Sequence, residues 1–147
     1  LYGNTKQLGE RITSWAGVHI KGTKSGTVRF GNVRETRGNV FEIWNEENRR
    51  NKPLSITDPT MKRYFIHTNE VIDFILNALL IINKGEIFVP KMKKFSVKEL
   101  ANEISKKQKI IGLRQGEKIQ EILLNNEEKE RAIERKDMWV INPYKKK

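Results

Sequence analysis

Helix-type and strand-type hydrophobic patterns alternate along almost the whole chain, and this alternation restricts the fold more than any other feature. Helical periodicity is predicted at residues 2–16, 38–44, 69–82, 96–104, 117–124 and 127–135. Short β-type runs fall between them, at residues 26–33, 54–57, 64–66, 85–90, 110–113 and 138–141. Such alternation is typical of proteins in which helices cover a sheet. We therefore predict an α/β fold, and 147 residues suffice for a hydrophobic core.

Two of the predicted helices carry more specific signals. Ser96 and Glu99 have the spacing of a capping box, in which the serine oxygen accepts a hydrogen bond from the amide three residues later. In the first helix, Leu8, Ile12, Trp15 and Ala16 recur near the helical period before a glycine ends the pattern. We expect these four apolar side chains to face the core.

The composition excludes several classes of protein. The longest apolar stretch, residues 71–82, contains Asp73 and Asn77 and is shorter than the roughly 18 to 20 residues that a bilayer crossing needs. The chain has no cysteine, which excludes disulfides and thiolate metal sites and fits a reducing compartment. No basic segment followed by an apolar one opens the chain, so no secretory leader is visible. We expect a cytoplasmic protein without a membrane partner.

The formal net charge is +11, from 29 lysines and arginines against 18 acidic residues. Such an excess favours phosphate-bearing partners through general attraction. Most of the lysines are expected to be solvated surface residues, and no recognition helix or aromatic strand platform indicates a nucleic-acid partner. His19 and His67 lack the spacing of metal ligands, so no metal site is predicted.

Tyr2 and Lys6 form a Tyr-x-x-x-Lys pattern at the start of the first predicted helix. A separation of four places both side chains on one helical face, one turn apart. A nearby ammonium stabilises a phenolate and lowers the pKa of the phenol, which can then accept a proton from a substrate hydroxyl. The pattern by itself is common in a lysine-rich chain, and an exposed tyrosine beside a surface lysine also explains it.

Four further blocks of sequence follow the tyrosine and lysine. Residues 27–33 read Thr-Val-Arg-Phe-Gly-Asn-Val, and residues 57–65 read Thr-Asp-Pro-Thr-Met-Lys-Arg-Tyr-Phe. Residues 85–92 read Gly-Glu-Ile-Phe-Val-Pro-Lys-Met, and residues 110–118 read Ile-Ile-Gly-Leu-Arg-Gln-Gly-Glu-Lys. Together these blocks resemble the C-terminal half of an extended short-chain dehydrogenase/reductase. The last three resemble its UDP-N-acetylglucosamine 4,6-dehydratase branch, a family of polysaccharide biosynthesis proteins.

This resemblance implies the C-terminal part of a Rossmann-type NAD(P)-binding fold together with a small substrate-binding subdomain. Residues 1–34 would end the Rossmann-type domain, and residues 35–147 would mainly form the UDP-sugar-binding part. NADP or NAD is the implied cofactor, with Tyr2 as catalytic base and Lys6 holding the phenolate and the nicotinamide ribose. The implied substrate is UDP-N-acetylglucosamine or a related UDP-sugar, oxidised at C4 and then dehydrated across C5 and C6. A homo-oligomer is implied for the full-length enzyme.

The substrate contacts follow from the same resemblance. Asn32 would bind the sugar diphosphate, Arg114 a diphosphate oxygen, and Glu117 the ribose hydroxyls. A planar guanidinium suits phosphate, and a carboxylate suits a diol. Arg63 either faces the nucleotide or covers a strand with its aliphatic stem. Without the family, Arg114 and Glu117 read equally well as an exposed loop pair at a helix start.

The sequence also departs from the family. Residues 34–39 read Arg-Glu-Thr-Arg-Gly-Asn where the family has a Gly-Ser-Arg-Gly-Ser loop, and Gln115 replaces a usual proline. No Gly-x-x-Gly-x-x-Gly turn occurs, so we interpret the N-terminal dinucleotide-binding half as absent. The chain alone is therefore expected to be inactive. A UDP-sugar 4-epimerase and a non-catalytic nucleotide-sugar-binding chain are the alternatives.

Overall fold

The computed structural model describes residues 2–143, apart from the side chain of Tyr2. Helices and strands alternate in this part of the chain, as predicted. The helices are α1 (Tyr2–His19), α2 (Val40–Arg49), α3 (Thr68–Ile81), α4 (Val97–Ile104) and α5 (Asn126–Lys129). The strands are β1 (Thr27–Val28), β2 (Asn32–Val33), β3 (Leu54–Ile56), β4 (Lys62–Ile66), β5 (Ile87–Pro90), β6 (Lys94–Ser96), β7 (Gln108–Ile110), β8 (Ala132–Glu134) and β9 (Met138–Ile141).

Two compact units are formed by interleaved stretches of the chain, and each is described by itself. The first unit contains Leu1–Phe30, Asn69–Lys91 and Ile122–Lys147, and the second contains Gly31–Thr68 and Met92–Glu121. The chain therefore leaves the first unit and re-enters it twice. The predicted division at residue 34 assigned functions to the two parts, and it stays a prediction.

The first unit is built on a four-stranded sheet in the order β1-β5-β9-β8. β1 runs parallel to β5, whereas β5 and β9, and β9 and β8, are antiparallel. All four residues of β5 are buried, because Phe88 belongs to the core cluster with α3, while Ile87 and Val89 belong to a second cluster. A strand buried on both faces has a continuous apolar sequence, which is the pattern of residues 87–90.

Helix α1 packs through its small residues, and the prediction of a core-facing apolar stripe is wrong. The exposed fractions are 58%, 58% and 59% for Leu8, Ile12 and Trp15. Instead, the Ser14 hydroxyl donates to the Gly85 carbonyl oxygen at 2.7 Å, and Gly17 is buried beside it. A Cβ atom at Gly17 would overlap the backbone of Gly85, so only glycine permits this approach. Close backbone packing thus decides which face of α1 is buried.

The second unit contains α2, α4 and two small sheets. β2 runs parallel to β4, β4 is antiparallel to β6, and β3 runs parallel to β7. Trp44 of α2 is fully buried, and its indole N–H donates to the Ser55 carbonyl oxygen at 2.8 Å. The buried cluster around it contains Leu54, Ile56, Met61, Val97, Leu100 and Ala101. Both helices therefore pack against β3 in one core.

Of the predicted capping box, the N-cap at Ser96 is confirmed, whereas the described residues show no bond from the Ser96 amide to the Glu99 side chain. Ser96 Oγ accepts from the Glu99 amide at 3.3 Å, and α4 ends at Ile104 as expected. The side chain of Asn39 likewise accepts from the Glu42 amide at the start of α2. Such caps satisfy donors that have no partner within the helix, and they fix where both helices begin.

Four predicted elements differ from the structure. The run at 26–33 divides into β1 and β2, which belong to different sheets. No helix forms at 117–124, where the pairing of Gln120 with Lys62 is an isolated bridge. The predicted helix at 127–135 is replaced by α5 and β8. The strand predicted at 110–113 lies two to three residues earlier, as β7.

Arginine contacts over long sequence distances explain why the helical pattern fails after residue 116. Arg63 donates to the carbonyl oxygens of Lys118 and Ile119, which an α-helix would use internally. Arg29 donates in the same way to the carbonyl oxygen of Leu123. Helical periodicity does not tell which carbonyl groups a distant arginine will contact.

None of the helices between residues 2 and 143 combines the length and the apolar character that a bilayer crossing requires.

Candidate functional site

One cavity of the second unit is lined by all four residues that the sequence predicts as substrate contacts. It measures about 220 Å³, and we call it the two-arginine cavity because Arg63 and Arg114 line it together with Asn32 and Glu117. Its apolar lining includes Val40, Ile43, Trp44, Met61 and Ile111. Cationic, acidic and apolar groups therefore meet in one concave site.

Asn32 reaches this cavity from the parallel pair of β2 and β4. In the register of that pair, Asn32 lies opposite Phe65. Asn32 Nδ2 donates to the Tyr64 carbonyl oxygen at 3.2 Å, which orients the side-chain amide. An asparagine amide has a second N–H and an acceptor oxygen, so this bond leaves capacity for a ligand.

Arg63 is buried, with 9% of its surface exposed, and its guanidinium faces the chain itself. Nη1 donates to the carbonyl oxygens of Lys62 and Ile119 at 3.1 and 3.0 Å, and Nη2 donates to that of Lys118 at 2.6 Å. Nε lies 3.2 Å from Glu121 Oε1. These contacts join β4 to the stretch that follows residue 116.

Arg114 and Glu117 belong to a tight turn in which Gly116 has a φ of +80°. The Arg114 amide donates to Glu117 Oε2 at 3.1 Å, and the Glu117 amide donates to the Arg114 carbonyl oxygen at 3.0 Å. Glu117 Oε1 lies 3.9 Å from Arg63 Nη2. Arg114 is exposed, and its guanidinium makes no hydrogen bond or ion pair with residues 2–143.

Tyr2 and Lys6 lie on α1 of the first unit. The helix gives the predicted one-turn separation of the two positions. Lys6 is exposed, and the side chain of Tyr2 falls outside the described structure. The pairing of phenol and ammonium therefore stays a prediction.

A second cavity, of about 440 Å³, lies in the first unit beside an arginine held by two carboxylates. Arg29 donates to both oxygens of Glu10 at 2.7 Å and to those of Glu128 at 2.9 and 2.7 Å. Burial alone would lower the pKa of Arg29, but hydrogen bonds to the two carboxylates and their charges raise it above its ordinary value. A guanidinium saturated in this way has no donors for an anionic ligand, so we assign it to stability.

The carboxylate partner of Arg29 on α5 responds to the same contacts. Burial raises the pKa of Glu128, whereas hydrogen bonds from Arg29 and from the Asn125 amide lower it, and the net result is a lowered pKa. The charged form of Glu128 is therefore the form that the fold stabilises.

The sequence did not predict how Arg63 is held. Glu121 contacts its guanidinium, and besides the Lys62 carbonyl group those of Lys118 and Ile119 accept from it. The helical pattern at 117–124 concealed both features. The available signal was a charged residue beside the apolar strand run at 64–66, which indicates that its charge needs a partner.

The loop that departs from the family pattern makes its own contacts. Glu35 accepts from the amide and the hydroxyl of Thr68 at 2.9 and 3.1 Å and also contacts His67 Nδ1. The hydrogen bond with His67, followed by the one from the Thr68 amide, lowers the pKa of Glu35.

Within residues 2–143, no group of three or more His, Cys, Asp or Glu side chains could hold a metal ion.

Comparison with known proteins shows the family. Residues 1–143 match the family described as polysaccharide biosynthesis protein, and the chain belongs to this family. The predicted resemblance to extended short-chain dehydrogenases of polysaccharide biosynthesis is thereby confirmed.

Individual relatives agree with this assignment. A UDP-N-acetylglucosamine 4,6-dehydratase (inverting) of Campylobacter jejuni is 32% identical, over an alignment that covers 97% of this chain and 44% of the relative. A Methanocaldococcus jannaschii protein described as an uncharacterized membrane protein is 36% identical, and the alignment covers 97% of this chain and 47% of that protein. A UDP-glucose 4-epimerase of Rickettsia rickettsii is 34% identical, and the alignment covers 77% of this chain and 35% of that protein. The chain thus spans about half the length, or less, of the curated relatives it matches.

A solved structure supports the fold. Pen from Bacillus thuringiensis is 33% identical and matches with a TM-score of 0.88, covering 96% of this chain and 48% of that one. The predicted α/β fold of the extended short-chain dehydrogenase type is confirmed by this likeness.

Proposed function

We propose that this chain provides the UDP-sugar-binding part of a UDP-N-acetylglucosamine 4,6-dehydratase-like enzyme in polysaccharide biosynthesis. The two-arginine cavity supports this proposal, because Asn32, Arg63, Arg114 and Glu117 line it from separate stretches of the sequence. Relatives from Campylobacter jejuni carry the dehydratase activity in their names. The proposed reaction is oxidation of the sugar at C4 and loss of water across C5 and C6.

The chemistry of the cavity suits a nucleoside diphosphate. Arg114 offers a planar guanidinium that has no partner within residues 2–143, and its donors match phosphate oxygens. The turn uses Glu117 Oε2, which leaves Oε1 as an acceptor for ribose hydroxyls. Ile43 and Ile111 add apolar surface for a flat base. At about 220 Å³ the cavity is smaller than ligand pockets of roughly 300 to 1,000 Å³, so we assign it the nucleotide portion alone.

We further propose that Tyr2 and Lys6 serve the chemical step and contact NAD or NADP. An exposed ammonium one helical turn after the tyrosine position fits both a phenolate and the hydroxyl groups of a nicotinamide ribose. Tyr2 would accept the proton of the 4-hydroxyl group, and Lys6 would stabilise the phenolate charge. The cofactor, when bound, supplies reversible hydride chemistry.

A UDP-sugar 4-epimerase is the second candidate, because relatives from Rickettsia are named UDP-glucose 4-epimerase. Removal of the 4-hydroxyl proton is common to both reactions, so the same tyrosine and lysine would serve either. Mass spectrometry of the product separates them, since dehydration removes one water from the UDP-sugar and epimerisation leaves its mass unchanged. The 147 residues by themselves are proposed to bind the nucleotide sugar without turning it over.

We also propose that the full-length enzyme is a cytoplasmic homo-oligomer. The absence of cysteine fits a reducing compartment. The exposed apolar stripe of Leu8, Ile12 and Trp15 on α1 supports association, because contiguous exposed apolar surface commonly marks an interaction site.

Isothermal titration with UDP-N-acetylglucosamine tests the proposed binding. We expect saturable binding to the wild type and at least about tenfold weaker binding to Arg114→Met, which loses charge-assisted hydrogen bonds to phosphate. Arg50→Met makes the same change at an exposed arginine that pairs with Glu46, and it should leave the affinity unchanged. A folded chain that binds no UDP-sugar would refute the proposal.

A further inference from the structure

We infer that Arg63 is a positioning residue, which orders the loop of residues 114–121 while Arg114 contacts the ligand. We call residues 114–121 the Arg114 loop. The inference rests on the proposed function, in which the two-arginine cavity binds the diphosphate of a nucleotide sugar. It assigns different tasks to two arginines that line the same cavity.

The N–H groups of the Arg63 guanidinium donate to other groups of this chain. Nη1 and Nη2 donate to three carbonyl oxygens, at 3.1 Å for Lys62, 3.0 Å for Ile119 and 2.6 Å for Lys118. Nε lies 3.2 Å from Glu121, and Nη2 also lies 3.9 Å from Glu117. A guanidinium has five N–H groups, so these partners leave little donor capacity for a phosphate.

The Arg114 loop has few other constraints. No helix or strand includes it, and the bridge between Gln120 and Lys62 is isolated. All of its residues are exposed except Glu117 and Glu121, so apolar burial cannot fix its conformation. The side chain of Arg63 is only 11% exposed, and it provides the loop with a buried anchor.

Glu117 transmits the position of Arg63 to Arg114. One carboxylate oxygen, Oε2, accepts from the Arg114 amide at 3.1 Å, while Oε1 faces Arg63 Nη2 at 3.9 Å. Displacing this carboxylate would therefore disturb the backbone that carries the Arg114 guanidinium. Loss of Arg63 should affect ribose and phosphate contacts together.

Hydrogen exchange of the ligand-free chain tests this role without any ligand. In Arg63→Lys a compact ammonium with three donors replaces the planar fork with five, and it cannot reproduce the same set of contacts. We expect the Arg114 and Glu117 amides, which are hydrogen-bonded in the turn, to exchange about tenfold faster than in the wild type. Arg114→Lys, the matched change in the same cavity, should leave these rates unaltered. Equal rates in Arg63→Lys and the wild type would overturn the inference.

Titrations with UDP and with uridine distinguish positioning from direct contact. UDP carries phosphate groups and uridine does not. Arg114→Lys should therefore weaken UDP binding several-fold and leave uridine binding unchanged. Arg63→Lys should weaken the binding of both ligands, and that of UDP more strongly, because Glu117 and Arg114 both move with the loop. A loss confined to UDP in Arg63→Lys would identify Arg63 as a phosphate contact and contradict the inference.

Glu121→Gln is the alternative variant for the exchange measurement if Arg63→Lys fails to fold. The Glu121 side chain is 37% exposed and lies 3.2 Å from Arg63 Nε, so its neutral isostere weakens the anchor while keeping its size. Faster exchange in the Arg114 loop supports the inference, and unchanged exchange refutes it. If the wild type binds neither UDP nor uridine, the proposed function fails, whereas the exchange rates still decide whether Arg63 orders the loop.

Discussion

Arg29 and Arg63 each hold together parts of the chain that are distant in sequence. Arg29 joins α1 to α5 through Glu10 and Glu128, the latter 99 residues away. Arg63 joins β4 to carbonyl groups up to 56 residues away. In both units the guanidinium group organises a stretch that lacks the helix its local sequence predicts. The structural roles of Arg29 and Arg63 follow from the positions of their contact partners.

Replacing Arg29 tests the first of these cross-links. We expect Arg29→Met to lower the free energy of unfolding by about 3 kcal/mol, because Glu128, with a side chain 10% exposed, would lose its partner. Arg135→Met, at an exposed arginine of the same unit, should change it by less than about 0.5 kcal/mol. Urea denaturation measures both values. Similar small changes in the two variants would show that the cross-link contributes little.

The acid dependence of stability provides a second readout of the same variant. The pKa of Glu128 is lowered from 4.5 in the folded state, so its contribution is fully present above that unfolded value. This contribution is lost as the pH falls through the folded pKa. Arg29→Met removes the main hydrogen-bond partner, so it should lose less stability than the wild type as the pH falls below 4.5. Parallel acid profiles would argue against Arg29 as the cause.

At the scale of elements, α1 is fixed by a glycine contact. Gly85, in the turn before β5, has a φ of +78°, and a Cβ atom there would overlap the Ser14 carbonyl group. Gly22 has a φ of +80° but open surroundings. These two positions share a backbone conformation and differ in the space around them, so they separate conformational strain from close packing.

The pair of glycines supplies a matched prediction. Gly22→Ala should cost about 1 kcal/mol of stability, from the left-handed conformation alone. Gly85→Ala adds overlap with α1 and should cost at least about 3 kcal/mol. Chemical denaturation of both variants measures the difference. Equal costs would mean that the close approach does not determine the placement of α1.

Sequence patterns predict elements well where local physics decides them. The Ser96 cap and the apolar run of β5 depend on neighbouring residues, and both were predicted. The core-facing stripe on α1 was not correctly predicted, because backbone packing at Gly17 buries a different face. The helix at 117–124 was wrong because Arg63 takes its carbonyl groups. Periodicity could not have grouped the four cavity residues, which lie in three distant stretches. Family resemblance implied substrate contacts for Asn32, Arg114 and Glu117 and left two readings open for Arg63.

At the scale of the whole molecule, the chain exposes extensive apolar surface in its first unit. On α3 the exposed fractions range from 50% to 83% for Ile72, Leu76, Leu79 and Leu80. Surfaces of this kind commonly mark interaction sites, and they support the proposed association. Because the chain spans about half the length of its relatives, ligand binding is a more direct test of its role than turnover.

An amide NMR titration of the chain with UDP tests the central claim, that the two-arginine cavity binds the nucleotide of a UDP-sugar. We predict saturable shifts at Asn32, Arg114 and Glu117 that persist at physiological salt. Shifts spread over the lysine-rich surface and abolished by moderate salt, or no saturable shifts in a folded chain, would contradict it.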